Sequence, residues 1–543
     1  MSTDTAPAVS AVDSAVHLDE RPAVRSAPPS SPPRPPRPQT AKEAAPRDAR
    51  GREQWVVPVL VLVAGMFMSV LDTSIVNVAI SAIQTDFGGS TADVAWISTA
   101  YSLVLGVVVP ASAWLGDRFG IARVYTLSLA AFALSSALCG LAWNLDSLIA
   151  FRVIQAIPGG LLPAVSLTMV YRIVPPARIG AAMGMYGLGI VFAPALGPAL
   201  GGYLVEYVNW RLVFYINIPV GVLGVAAAVV LLPKFAPAIT RRFDLFGFLT
   251  IATGLVSLLL AFSEGPSWGW TGYRVLGLIA LAVLSLAAFV VIELDVEHPL
   301  LNLRVFTNRL YTTSLLAMSV MMTGLFATLF YIPLFLQEGL GYPALRAGLL
   351  ILPQALVMAV LMPVAGRLYD KIGPRYLAFF GLVIAAIGTF LLMGISPDMT
   401  RGELVLWLCV RAAGTGLAMM PIMTGGLSSL PGMLTTSGSA INTVAQRVSA
   451  ALGLAGLTAV VTNQQGGLMA ARAALVPSSR TGHMSPGELM AVYQQTQLEV
   501  LAQSYSNVFL LTGILTLVAA GLSLMLRTGA NPHAGGPGAA MME

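Results

Sequence analysis

Charge is what this sequence has least of. Only 10% of its 543 residues are Asp, Glu, Lys or Arg, while 56% are hydrophobic. A soluble domain carries roughly a quarter charged residues. A chain this long and this poor in charge cannot cover a water-facing surface, so lipid is the solvent that fits. The mean hydropathy of +0.78 agrees. Cysteine is nearly absent as well: Cys139 and Cys409 both sit in or beside apolar runs. That excludes a disulfide framework and leaves a metal site without support. The histidines, His17, His298, His483 and His533, make no ligand cluster in the sequence. No Gly-x-x-x-x-Gly-Lys-Ser/Thr loop occurs, and no polar stretch is long enough for an ATPase domain. No cofactor is expected, and energy must come from an ion gradient or the substrate's own gradient. The net charge of +5 is spread thinly, without the dense basic patch a nucleic-acid partner requires.

What the sequence has is long apolar runs. A helix needs about 20 residues to cross the hydrocarbon core. Fourteen such segments are read between Trp55 and Arg527, the first at 55–80, the second at 94–115 and the last two at 437–461 and 505–526. An N-terminus in the cytoplasm puts Arg118, Arg123, Arg172, Arg178, Lys234, Arg241, Arg242, Arg304, Arg309, Arg367, Lys371 and Arg375 in inner loops and leaves the outer loops poorer in basic residues. That bias places both termini inside. Residues 1–54, rich in Pro, Ala, Ser and Arg, read as a disordered cytoplasmic tail without signal-peptide features. Residues 528–543 read as a second, shorter tail. Residues 462–504, mixed and less apolar, read as an external loop.

Two inner loops share a pattern. Leu115-Gly116-Asp117-Arg118-Phe119-Gly120 follows span 2, and Leu368-Tyr369-Asp370-Lys371-Ile372-Gly373 follows span 10. Gly permits a tight turn or close helix approach, and Asp at a helix end accepts from amides or pairs with Arg. Repeated in two halves, the pattern reads as a pair of latches that close the cytoplasmic side of a transporter whose halves rock about a central site.

Four ionisable residues fall inside spans: Asp72, Arg152, Arg411 and Arg447. A charge there costs at least ~2.5–3.5 kcal/mol on the insertion scale, so each needs a reason. Asp72 is the candidate proton carrier, the alternative being one half of a static pair that fixes two helices. Arg152 keeps its proton and so would tune Asp72, with Gln155 one turn away on the same face. Arg411 and Arg447 are expected to be structural polar ties. Span 5 carries Gly189, Pro194, Gly197, Pro198, Gly201 and Gly202, a pattern suited to close packing and to a hinge or proton-tight seal. Met66, Tyr186, Phe192, Tyr331 and Phe335, with Gln337 and Gln354, are candidates to line a cavity for varied amphiphiles.

These residues together resemble the major facilitator superfamily, and in particular its fourteen-span drug:proton antiporter branch of bacterial multidrug exporters. The resemblance covers about 55–527. It rests on Leu71-Asp72-Thr73-Ser74-Ile75-Val76-Asn77, on Leu115 to Gly120, on Arg152 with Gln155, on Gly197-Pro198-Ala199-Leu200-Gly201-Gly202, and on Trp210-Arg211 followed by Phe214, Asn217 and Pro219. It departs from the family at Ala113, Ile121-Ala122, Ala156 and Pro158. The resemblance implies an all-α polytopic fold of two pseudo-symmetric six-helix bundles, 55–232 and 311–526, with two linker helices at 243–292. It also implies proton coupling through Asp72 and Arg152, gating by Asp117 and Arg118, and a bacterial inner-membrane location.

The expected function is therefore proton-coupled export of small amphiphilic or cationic compounds by a protein able to work as a monomer among membrane lipids. The same fold could instead move a lipid, a cell-wall precursor, a siderophore or a self-made antibiotic. An enzyme is disfavoured, because no acid–base or nucleophile constellation converges in the spans.

Overall fold

The computed structural model describes residues 55–233, 235, 243–297, 299–475 and 485–526. Both expected tails, Lys234, Arg241, Arg242 and all four histidines lie outside the described residues. The first half consists of α1 (Val56–Phe87), α2 (Thr91–Val108), α3 (Ala111–Phe119), α4 (Ile121–Gly140), α5 (Leu145–Ile173), α6 (Ile179–Tyr207), the short α7 (Leu212–Tyr215) and α8 (Asn217–Leu231). Then come α9 (Leu245–Trp268) and α10 (Tyr273–Asp295). The second half holds α11 (Arg309–Leu334), α12 (Ala344–Ile372), α13 (Pro374–Leu391), α14 (Arg401–Ser428), α15 (Thr435–Leu475) and α16 (Pro486–Ser523).

Local chemistry sets several starts. Capping boxes open α2 with Ser90 and Asp93, α5 with Asn144 and Ser147, and α14 with Thr400 and Glu403. Among the described residues, thirteen helices are long and apolar enough to cross a membrane, and a bent pair makes fourteen. That pair corrects the expected span 2. Instead of one helix over 94–115, α2 and α3 meet at 57°, with Val109 and Pro110 at the break.

Two further boundaries move. Span 1 was expected to end at 80, but α1 runs to Phe87, which puts Asp72 at its middle. The expected external loop at 462–504 is largely helix, as α15 continues to Leu475 and α16 begins at Pro486. Ala, Gln and Met favour helix whether or not lipid surrounds them.

The halves meet along α6 and α12. Here the backbones themselves touch: a Cβ on Gly184 would lie 2.7 Å from Pro363 Cα, and one on Gly180 or Gly366 would strike the backbone of the facing helix. α9 and α10 pack on each other, and α9 also rests against α2 and α15, one helix from each half. α10 turns Val283, Leu284, Val291 and Leu294 outward, as a lipid-facing helix does.

Candidate functional site

The charges in the first half are brought together. α1 supplies Asp72, while α5, fixed by its Asn144 cap, presents Arg152 and Gln155 one turn apart. Arg152 Nη1 donates to Asp72 Oδ2 at 2.5 Å and to Gln155 Oε1 at 2.7 Å. Gln155 Nε2 donates to Asp72 Oδ1 at 3.1 Å, and Asn217 Nδ2 from α8 reaches the same oxygen at 3.0 Å. Both amides also donate to Ser136 Oγ of α4, which donates in turn to the Phe214 carbonyl. Asp72 is 0% exposed and Arg152 1%. The Arg152 guanidinium lies 3.7 Å from the Tyr101 ring centroid and 5.8 Å from that of Phe214.

A buried ion pair is tolerable only when its remaining lone pairs are satisfied. Here Asp72 has three donors. Sequence reasoning found Asp72, Arg152 and Gln155 but missed Ser136 and Tyr101. It noted Asn217 only as part of a resemblance. An uncharged polar residue in a span is too common to stand out.

Two serines bracket Asp72 on α1. Pro163 has no N–H for the carbonyl of Gly159, and Ser69 Oγ donates to that carbonyl at 2.8 Å. Pro198 likewise leaves the Pro194 carbonyl free, and Ser74 Oγ donates to it at 2.9 Å. Each proline thus creates an acceptor that α1 fills. The span 5 signature sorts onto two faces of the unbroken α6. Gly189 packs on Met66 and Val63, Gly197 on Ser74, and Gly201 on Ile75 and Val78, all of α1. Pro198 packs on Gly348 and Gly202 lies by Leu345, both of α12. On α5, where the family-like Gly gives way to Ala156 and Pro158, close approach to α2 is supplied by Gly159 and Gly160 against Tyr101 and Leu105.

The two repeated loops have the same construction. Gly120 (φ 86°) joins α3 to α4, and Gly373 (φ 78°) joins α12 to α13. These are the left-handed conformations that call for Gly. Their aspartates reach different partners. Asp370 Oδ1 and Oδ2 accept from the Gly180 and Ala181 amides at 3.0 and 3.2 Å, capping the start of α6 in the other half. Asp117 pairs with Arg172 at 3.4 Å, and Arg172 also donates to Thr436 Oγ1 across the seam at 3.2 Å. Arg118 and Lys371 are exposed and make no hydrogen bond or ion pair among the described residues. At the opposite end, Trp210 Nε1 and Arg211 Nη1 both hold Asp86 at 3.0 Å.

The expected cavity residues scatter. Met66 is buried against α6, and Tyr186 donates to the Pro163 carbonyl at 2.8 Å. Tyr331 and Phe335 both pack on Tyr505, with Phe335 opening a π-helical turn, Phe335–Gly339. Phe192 is half-buried, Gln337 exposed and Gln354 buried. Arg411 is the expected tie: Nη2 donates to the Gly324 carbonyl at 2.6 Å. Arg447, also expected as a tie, makes no hydrogen bond or ion pair among the described residues.

Two helix bundles in one chain, with a charge pair sealed inside the first and Asp370 of the second reaching the α6 amides of the first, have the architecture of a polytopic membrane protein. The chain belongs to the Major Facilitator Superfamily, whose profile matches residues 62–454. It is 33% identical over 476 residues to the multidrug resistance protein B homolog of Mycobacterium tuberculosis, covering 84% of this chain and 87% of that protein. It is 30% identical over 503 residues to the tetracenomycin C resistance and export protein of Streptomyces glaucescens, covering 88% and 92%. Among solved structures it is similar to the proton:xylose symporter XylE, with TM-score 0.53 at 15% identity over 85% of this chain and 94% of that one. That likeness speaks to the fold.

Proposed function

We propose that this transporter is a proton-coupled antiporter that exports small amphiphilic compounds from a bacterial cell by alternating access. The observation that carries the reading is Asp72, a carboxylate with 0% exposure held by a single cation, Arg152. Such a group has two tolerable states, paired or neutral, because an unpaired charge in a low-dielectric site is costly. Asp72 would alternate between the Arg152 pair and a protonated form. Gln155, Asn217 and Ser136 would hold the carboxylate in place, and Arg152, which keeps its proton, would compete with the incoming one. The latches would shut the cytoplasmic side, with both termini on that side of the inner membrane. The protein would work as a monomer. The similarity to the tetracenomycin C resistance and export protein supports the direction of transport.

The test is reconstitution in liposomes with a lumenal pH dye, with and without an imposed pH gradient. Ethidium and anthracene-carboxylate would be offered as cationic and acidic probes. Substrate-driven proton movement in wild type that vanishes in Asp72→Asn is the expected result. Transport of a labelled lipid that ignores both the gradient and Asp72 would replace antiport with lipid movement.

A further inference from the structure

Of the arginines inside spans, the mechanism above leaves Arg411 and Arg447 unused, and of these two Arg447 alone makes no hydrogen bond or ion pair among the described residues. It lies on α15, 12 residues after Thr435, hence about 18 Å along the helix and near the middle of the bilayer. Its Nε is buried without a partner, as are those of Arg152 and Arg411, but its guanidinium makes no hydrogen bond or ion pair at all among the described residues. Its neighbours in kind are provided for: Arg152 has Asp72, and Arg411 has the Gly324 carbonyl. No carboxylate pairs with Arg447 among the described residues. Asp72, the acid buried at the site, already has three donors.

α15 also crosses between the halves: it packs against α5, the helix of the first half that carries Arg152, and against α9. Two more polar atoms on α15 are buried and unpartnered: Ser439 Oγ and Asn442 Nδ2. At 3.6 residues per turn, Asn442, Ser439 and Arg447 fall within an arc of about 140°. One side of α15 therefore presents a hydroxyl, an amide and a guanidinium with nothing to bind.

A guanidinium kept in a span without a counter-charge marks a substrate path more often than a structural element. Only something that enters can supply the missing charge here. We infer that Arg447 is the recognition point for an acidic group on the cargo, which is then an amphiphile bearing a carboxylate or acidic phenol rather than a lipophilic cation. The planar fork of Arg suits two parallel hydrogen bonds to a carboxylate. Asn442 and Ser439 would bind further oxygens of the same molecule. A cationic cargo would bring a second positive charge to an unpaired one. This inference deepens the antiporter reading and rests on it.

The experiment uses purified full-length protein in lipid nanodiscs and three probes of one size: anthracene-carboxylate, anthracene-methanol and anthracene-methylamine. Binding is followed by fluorescence anisotropy. Wild type should bind the acid at least about tenfold tighter than the amine, the scale of one charge-assisted hydrogen bond. Arg447→Gln should lower affinity for the acid about tenfold and leave the alcohol within about twofold. Arg447→Lys should keep the preference for the acid. Wild type that binds the amine as tightly as the acid, or none of the three probes, overturns the inference. So does an unchanged acid affinity in Arg447→Gln, or equal loss of all three probes in both variants, which would make Arg447 structural. Asp72→Asn separates the two readings. If it still moves protons in liposomes while Arg447→Gln loses the acid, antiport through Asp72 fails and the anion site stands. If it is silent while Arg447→Gln binds the acid normally, the reverse holds.

Discussion

Asp72 and Arg152, 80 residues apart in the chain, meet at 2.5 Å with neither side chain open to solvent. Their energies are therefore joined. Arg152→Ala leaves a buried carboxylate unpaired and should destabilise the protein by about 3–5 kcal/mol. Asp72→Asn combined with Arg152→Gln should cost clearly less than the two single changes added, with a coupling of roughly 1–3 kcal/mol. Thermal unfolding in detergent of all four proteins gives the cycle. Simple additivity would mean that the pair is not formed in the folded protein.

Asn217 is the donor that charge arithmetic does not find. Asn217→Leu leaves Asp72 Oδ1 with Gln155 alone and takes one donor from Ser136 Oγ. A loss of about 1.5–3 kcal/mol is expected, the value of a hydrogen bond to a charged group. The same thermal unfolding reads it, and an unchanged midpoint would remove Asn217 from the network.

The serines on α1 make a sharper test, because their role can be repaired from the other side. Ser74→Ala should cost about 1–3 kcal/mol by stranding the Pro194 carbonyl. Adding Pro198→Ala restores an N–H four residues on and should recover much of that loss. If the second change makes matters worse, the carbonyl was not the reason for Ser74.

How much of this was readable in advance follows from what a charge and a proline each cost. Asp72 and Arg152 stood out because an ionised group in an apolar run demands an explanation. Ser136, Tyr101 and Ser69 did not, since hydroxyls are cheap in spans and the carbonyl that Ser69 answers lies 90 residues away in sequence. Proline gave no reliable sign of a break. α5, α6 and α12 all run through internal prolines, while α2 and α3 part at Pro110. The latches were legible as a repeat, but their partners, Arg172 with Thr436 and the amides of α6, were not, because the pattern holds only one side of each contact.

The two aspartate loops should differ in strength. Asp370 caps the start of α6 with both oxygens, whereas the Asp117–Arg172 pair is about a third exposed. Asp370→Ala should cost about 1–2 kcal/mol, as loss of a helix cap does. Asp117→Ala should cost no more than about 1 kcal/mol. Hydrogen–deuterium exchange over residues 179–184 is the measurement: faster exchange in Asp370→Ala and little change in Asp117→Ala are expected. Equal protection in both variants would show that Asp370 does not hold the α6 amides.

Ser69 and Ser74 fix how the first bundle is able to move. Rotating α1 within its bundle would strand two carbonyls in hydrocarbon and cut Asp72 from donors on two helices together. The bundle is thereby tied as a block around Asp72. The seam of α6 and α12 is built otherwise, from glycine backbones that meet directly. Under the antiport proposed above, any large displacement would fall to that seam, and the charge pair would change by protonation and a few torsion angles within a bundle that stands still.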